Sequence, residues 1–140
     1  MRFWDSSAVV CLCLREPHRA ALSSLSRIDP GQVVWWATRT ECLSALERGL
    51  RAGKLDVSGL SQARVALRLL ATGWDEILPA ESIRGTAERS LGIHSLSAAD
   101  AFQLAAALDW CSLSPLGREF VTLDRQLGEA ARREGFTVLP

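Results

Sequence analysis

An alanine-rich segment in the last third of the chain places the strongest constraint on its fold. Between Ala98 and Leu108 only Asp100 and Gln103 are polar, and a helix that is apolar on nearly all sides is buried rather than amphipathic. Alanine and leucine also have high helix propensity. Ser97 is a good N-cap, which places Asp100 in the first turn. The sequence therefore predicts a buried helix with a carboxylate at its N-terminus.

Short apolar runs alternate with helical patterns along the rest of the chain. No two runs are joined by a hairpin turn, so the strands they predict must pair mostly in parallel, with helices on both faces of the sheet. This predicts a three-layer α/β fold with a mostly parallel five-stranded sheet. The predicted strands are 2–5, 33–36, 74–78, 120–123 and 136–139, and the predicted helices are 7–15, 18–28, 41–52, 58–71, 80–91, 98–108 and 125–134.

Composition excludes several classes of protein. The chain has 140 residues, which we interpret as a single domain over 1–140. Its 16 basic and 16 acidic residues cancel, so no global field attracts nucleic acid or membrane. No apolar run approaches the length of a membrane span. The four cysteines have no CxxC spacing, which argues against zinc and favours free thiols in the cytoplasm.

Four acidic residues occupy positions where strands give way to helices. Asp5 ends the first strand, Glu41 opens the helix after the second, Asp124 follows the fourth, and Asp100 opens the buried helix. The carboxyl ends of parallel strands share one edge, so we expect these side chains to converge. Two carboxylates about 4 Å apart repel by roughly 4 kcal/mol at an effective dielectric of 20, and such a cluster needs a cation. Carboxylates without His or Cys suit Mg²⁺ or Mn²⁺, which can activate water against a phosphodiester.

Simpler interpretations exist for each acid. Asp5 and Asp124 are possible N-caps, with Ser6 also able to cap the first helix, and Glu41 is a first-turn acid favoured by the helix dipole. Asp100 can form a capping box with Ser97. Thr38 or Thr40 is the expected cap of the helix that carries Glu41. His18 and His94 are isolated and favour surface or capping roles, and the adjacent Trp35 and Trp36 favour core packing.

Five segments, in order along nearly the whole chain, resemble the successive motifs of PIN-domain ribonucleases. The closing segment also resembles the usual ending of VapC-type toxins in that family. The segments are Trp4-Asp-Ser-Ser7, Arg39-Thr-Glu41, 96–108, 120–127 and 130–140.

The resemblance implies a parallel sheet of five strands and Mg²⁺- or Mn²⁺-dependent cleavage of RNA. It implies a site of Asp5, Glu41, Asp100 and Asp124, with Thr122 and Ser6 or Ser7 orienting water or phosphate. Gln103 departs from the pattern, since many relatives have His there. The resemblance also implies an antitoxin protein bound at the helical hairpin of 41–52 and 58–71, and we expect a homodimer.

Three other functions remain open. A PIN-like nuclease can serve in housekeeping RNA processing, and a chain of this fold can be a catalytically silent binding module. A receiver-like phosphoacceptor also clusters acids at a sheet edge. Receivers use a lysine after a late strand, whereas the only lysine here, Lys54, lies between two predicted helices.

Overall fold

Five parallel strands form one sheet in the computed structural model, which describes residues 1–140. The order across the sheet is β3-β2-β1-β4-β5, and every neighbouring pair is parallel. The predicted mostly parallel α/β sheet is therefore confirmed. The strands are β1 Arg2–Trp4, β2 Gln32–Trp35, β3 Trp74–Ile77, β4 Glu119–Val121 and β5 Thr137–Leu139.

Seven helices cover both faces of the sheet, which gives the predicted three layers. One face carries a cluster that joins Phe3, Trp35 and Phe120 to the last three helices. The opposite face joins Trp4, Val34 and Val121 to the first four. Alternate residues of each strand point to opposite faces, and this divides the two clusters. The helices are α1 Ser6–Cys13, α2 Arg19–Ile28, α3 Thr38–Arg51, α4 Val57–Ala71, α5 Glu81–Ile93, α6 Ala98–Trp110 and α7 Arg125–Glu134.

Helix α6 is buried as its composition predicts. Seven of its residues are buried, and they include the run Ala105–Leu108 together with Ala101 and Leu104. Their small side chains pack against Ile83 and Ala87 of α5 in the same cluster. The loop of residues 111–118 joins the C-terminus of α6 to the start of β4, and the N-terminus of the helix lies near the edge of the sheet where β4 ends.

Two predicted caps are wrong. Ala37, not Thr38 or Thr40, is the N-cap residue of α3, and it makes no side-chain cap bond. Thr38 is inside the helix and fully buried. Ser6 is also inside its helix, because the carboxylate of Asp5 accepts the hydrogen bond from the Ser7 amide and Asp5 is the N-cap of α1. An extended residue at a strand end leaves its side chain free to turn back over the helix start.

The structure bears out some of the remaining sequence interpretations and corrects others. Trp35 is buried and stacks on Phe102, with ring centroids 5.6 Å apart, whereas Trp36 is 54% exposed, so core packing applies only to Trp35. His94 is the C-cap residue of α5 but is buried, and its Nε2 lies 2.8 Å from Glu134 Oε1. All four cysteines are free. No helix has both the length and the apolar character that a membrane crossing requires.

Helices α3 and α4 form the predicted hairpin. Leu46 is buried, and Leu43 and Leu50 are half-buried against the same core. The large apolar side chains left exposed on the hairpin belong to α4 instead, and they are Val57, Val65 and Leu69. The leucines of α3 are therefore mainly core residues.

Candidate functional site

The order of strands reverses beside β1. From β1 the chain proceeds outward to β2 and β3 on one side, and later to β4 and β5 on the other. Asp5 directly follows β1, and Asp124 closes the short segment after β4. Because β1 and β4 are parallel neighbours, both segments leave the sheet at the same edge. In open α/β sheets this is where ligands bind.

The structure brings all four predicted acids into one pocket at this edge. The pocket has a volume of about 730 Å³ and is bordered by the N-terminal parts of α1, α3 and α6. Asp5 is buried at its base, while Glu41, Asp100 and Asp124 are half-buried. Its lining also includes Ser6, Ser7, Thr40, Ser44, Glu16 and Arg48.

Asp5 is the most strongly bonded of the four carboxylates. Its Oδ2 accepts hydrogen bonds from the Ser7 amide at 3.2 Å, the Ser7 hydroxyl at 2.5 Å and the Thr122 hydroxyl at 2.8 Å. Oδ1 accepts only the Ser6 hydroxyl, at 3.3 Å. Burial raises the pKa of Asp5, the hydroxyl and amide donors oppose that shift, and the nearby Glu41 charge adds to it. An ionised Asp5 is therefore costly unless a cation shares the pocket.

Ser7 and Thr122 connect the ends of β1 and β4. Their hydroxyl oxygens are 3.3 Å apart. The Leu123 amide donates to Ser7 Oγ at 2.9 Å, and the Asp124 amide donates to Thr122 Oγ1 at 3.0 Å. The two residues thus fix the backbone that carries Asp124 relative to Asp5. Their hydroxyls belong to this framework. The orientation of water or phosphate that the resemblance implied stays a prediction.

Asp124 makes the cap bond that the simpler interpretation predicts, whereas the Asp100 carboxylate accepts the Ser97 hydroxyl and not the Ser97 amide that a capping box requires. Asp124 Oδ1 accepts the Leu127 amide at 2.8 Å, and Asp124 is the N-cap of α7. Ser97 caps α6 through the Asp100 amide at 3.2 Å, and its hydroxyl donates to Asp100 Oδ2 at 2.7 Å. Each carboxylate commits one oxygen to these bonds, so capping and lining the pocket are compatible.

Glu41 is held from the side of α6. Gln103, fully buried, donates from Nε2 to Glu41 Oε2 at 2.9 Å. The same nitrogen donates to the buried Thr38 hydroxyl at 3.1 Å. Glu41 and Gln103 belong to different helices and are far apart in sequence, so the spacing of residues gave no sign of this contact.

Arg48 and Glu16 are pocket residues that the sequence interpretation did not include. Arg48 is the one cationic side chain of the lining. Its Nη1 donates to Ser44 Oγ at 3.0 Å. Glu41, Ser44 and Arg48 follow the helical i, i+3, i+7 spacing, so one face of α3 borders the pocket. That spacing was a usable signal for Arg48.

The donor set fits a hard divalent cation in chemical type. All four acids offer carboxylate oxygens, and none of the lining residues is His or Cys. The structure does not bring three acidic side chains together in a geometry that holds one ion, because the local hydrogen bonds orient each carboxylate separately. Mg²⁺ keeps several waters and is usually bound through one or two carboxylates. The four carboxylates of the pocket therefore offer ligands of the type that Mg²⁺ uses, and Asp5 is the most buried of them.

Comparison with known proteins gives a likeness in fold. Neither the protein-family models nor the curated proteins include a match to this chain. Among solved structures, the crystal structure of PAE2754 from Pyrobaculum aerophilum is similar, with a TM-score of 0.67 and 20% sequence identity. The likeness covers 98% of this chain and 87% of the other. At that identity it concerns the three-layer α/β fold alone.

Proposed function

We propose that this chain is a Mg²⁺- or Mn²⁺-dependent endoribonuclease that hydrolyses RNA phosphodiesters at the acidic pocket. The observation that carries the proposal is the shared pocket of Asp5, Glu41, Asp100 and Asp124, which come from four separate places in the sequence. Capping accounts for the positions of three of them individually, but it does not require that they meet. The resemblance to PIN-domain ribonucleases supports the same choice of residues.

In this proposal the residues of the pocket have separate roles. The buried Asp5, hydrogen-bonded to Ser6, Ser7 and Thr122, lines the pocket together with Asp100, Asp124 and Glu41. A bound divalent ion supplies the positive charge that offsets these carboxylates and lowers the pKa of bound water. We propose that Arg48, an exposed residue of the pocket lining, contacts a substrate phosphate, since its guanidinium offers paired donors to phosphate oxygens.

The position of Lys54 weighs against a receiver-like phosphoacceptor. Lys54 is exposed between α3 and α4, and it lines a neighbouring groove rather than the acidic pocket. The phosphoryl-transfer role of the receiver lysine requires it beside the acidic cluster. The nuclease proposal needs no lysine there.

Asp100→Asn tests the nuclease proposal. The amide removes one charge and keeps an oxygen for the Ser97 hydroxyl, so without Mg²⁺ the variant should melt no lower than wild type. It should lose RNA hydrolysis by about 100-fold or more, together with the rise in Tm that Mg²⁺ gives the wild-type protein. Asp109→Asn is the matched control, because Asp109 is an exposed acid near the other end of α6. Retained hydrolysis in Asp100→Asn, with contaminating nuclease excluded, contradicts the assignment.

We further propose that the chain is the toxin of a type II toxin–antitoxin pair, acts in the cytoplasm and forms a homodimer. The support is the resemblance to VapC-type toxins and the exposed apolar side chains of α4 and of other elements. Induced expression should arrest growth, whereas Asp100→Asn should not. A housekeeping RNA-processing nuclease is the alternative, and growth unaffected by the wild-type chain would favour it.

The antitoxin site that we propose is a groove bounded by the end of α1 and by the α3–α4 hairpin. The groove has a volume of about 1000 Å³ and shares Val10, Glu16, Ala45 and Arg48 with the acidic pocket. An antitoxin helix with an apolar face fits such a groove. An Arg at its end can then reach the carboxylates and take the place of the cation.

A further inference from the structure

Gln103 is the one fully buried side chain of α6 that carries polar atoms. It lies one turn after Asp100, among the buried alanines and leucines of the helix, with no exposure to solvent. Burying an amide is unfavourable unless its hydrogen bonds are made. Leucine or methionine would fill the same volume without that cost, so packing alone does not explain a glutamine here.

Only the nitrogen of the Gln103 amide is hydrogen-bonded. Both bonds from Nε2 are made, to Thr38 Oγ1 and Glu41 Oε2, while the buried Oε1 has no partner. Leaving a buried acceptor without a hydrogen bond is unfavourable. The carboxylate explains this orientation: reversing the amide would set Oε1 against Oε2 of Glu41, and two acceptors repel. The amide therefore donates to Glu41 while its own oxygen stays without a partner.

We infer that Gln103 is a positioning residue that fixes the orientation of the Glu41 carboxylate at the pocket. This rests on the proposed function and assigns a specific role to a residue that makes no contact with substrate. Because Asp100 and Gln103 lie on the same face of α6, one helix both supplies an acid to the pocket and orients another. The Thr38 hydroxyl accepts a second bond from the same Nε2, so α3 anchors the amide that donates to Glu41.

The neutrality of the amide is what suits it to this task. A lysine or arginine at the same place would pair with Glu41 and compete with a divalent cation for its charge. A glutamate would add a buried negative charge against Glu41. An amide donates a hydrogen bond and leaves the full charge of the carboxylate to attract a cation.

The contact itself is testable in the metal-free protein by NMR. The side-chain amide signals of Gln103 are identified by their absence from Gln103→Met. We expect Glu41→Ala to shift these signals and to speed their exchange with D₂O, while Asp124→Asn leaves them nearly unchanged. If the Gln103 amide signals are unchanged in Glu41→Ala, the inference is overturned whether or not the protein cleaves RNA.

The consequence for cation binding is tested with Mn²⁺ as the probe. Gln103→Met should bind Mn²⁺ roughly tenfold more weakly, which is the scale of one hydrogen bond to a charged group. Gln103→Asn, one methylene too short to reach, should also bind weakly, and Gln103→His, whose ring N–H can donate, should recover part of the affinity. Leu104→Met is the control for packing on α6.

The outcomes separate the two proposals. If wild type binds Mn²⁺ and Gln103→Met binds it equally well, the positioning role is wrong and the nuclease proposal stands. If wild type neither binds Mn²⁺ nor cleaves RNA, the nuclease proposal fails and removes the reason for this role. Should Gln103→Met fail to fold, the Asn and His variants and the NMR result with Glu41→Ala still decide the question.

Discussion

Asp5 shows how a single buried carboxylate can link stability to pH. Folding raises its pKa above the ordinary value of 3.8, chiefly through burial, so the folded protein retains this proton to higher pH than the unfolded chain does. The free energy of unfolding therefore falls as the pH rises from the unfolded pKa through the folded one, and it stays lower above both. At neutral pH, without a divalent cation, Asp5 reduces the stability of the fold.

Asp5→Asn should remove this penalty. The side-chain oxygen of asparagine can accept the bonds from Ser7 and Thr122, and no charge remains to be desolvated. We expect the metal-free variant to have a higher Tm than wild type at pH 7, with the difference shrinking toward pH 4, and to show no gain from Mg²⁺. Thermal unfolding across this pH range measures the effect, and Asp75→Asn on the exposed surface of β3 is the control. An equal pH dependence in wild type and Asp5→Asn would contradict the account.

The residues of the pocket were predictable to different degrees for a physical reason. Asp5 and Asp124 follow strands, and parallel strands end at one edge, so their meeting follows from the strand pattern alone. The contact from Gln103 to Glu41 depends on how α6 lies against α3, which no local pattern encodes. The resemblance marked Gln103 only as a departure from the family pattern, and its partner appeared only in the folded structure.

At the scale of elements, the pattern of apolar residues predicted which helices are present better than it predicted where they begin and end. The predominantly apolar composition of α6 correctly predicted a buried helix, and the α7 bounds of 125–134 are as predicted. The start of α3 was wrong by one turn, because Thr38 resembles an N-cap in sequence. Its hydroxyl bonds to Gln103 across the core instead, and a tertiary contact overrides the local preference.

Helix α6 is also the element whose small residues set the spacing of one face of the molecule. Ala105, Ala106 and Ala107 have no exposed surface, and they lie in the cluster that includes Ile83 and Ala87 of α5. A larger side chain has no space there. Ala105→Leu should therefore reduce the free energy of unfolding by about 1–3 kcal/mol through overpacking.

Chemical denaturation of Ala105→Leu gives the measurement for this prediction. Ala98→Leu is the control, because Ala98 is at the exposed start of the same helix. Alanine and leucine also have similar helix propensities. Its stability should stay within about 0.5 kcal/mol of wild type. If both variants lose the same stability, the tight approach of α5 and α6 is not what limits residue size.

At the scale of the whole molecule, the acidic pocket and the groove beside it form one continuous surface with contrasting charge. The groove is lined by four cationic side chains, Arg15, Arg19, Arg48 and Lys54, against two acidic ones, Glu16 and Asp56. Apolar residues such as Val10 of α1, Ala45 of α3 and Ala66 of α4 also line it. A partner seated there lies directly beside the carboxylates, so binding in the groove and access to the pocket are coupled by position.

Charged substitutions in the groove should separate inhibition from catalysis. Ala52 and Gln62 are exposed groove residues outside the acidic pocket, so Ala52→Glu and Gln62→Glu should leave RNA cleavage unchanged. Each places a charge where we expect the apolar face of the antitoxin helix, and desolvating an unpaired charge opposes binding. Co-expressed antitoxin should then fail to restore growth. Arg68→Glu, on an exposed part of α4 outside the groove, should retain rescue; rescue that survives both groove variants would mean that the inhibitor binds elsewhere.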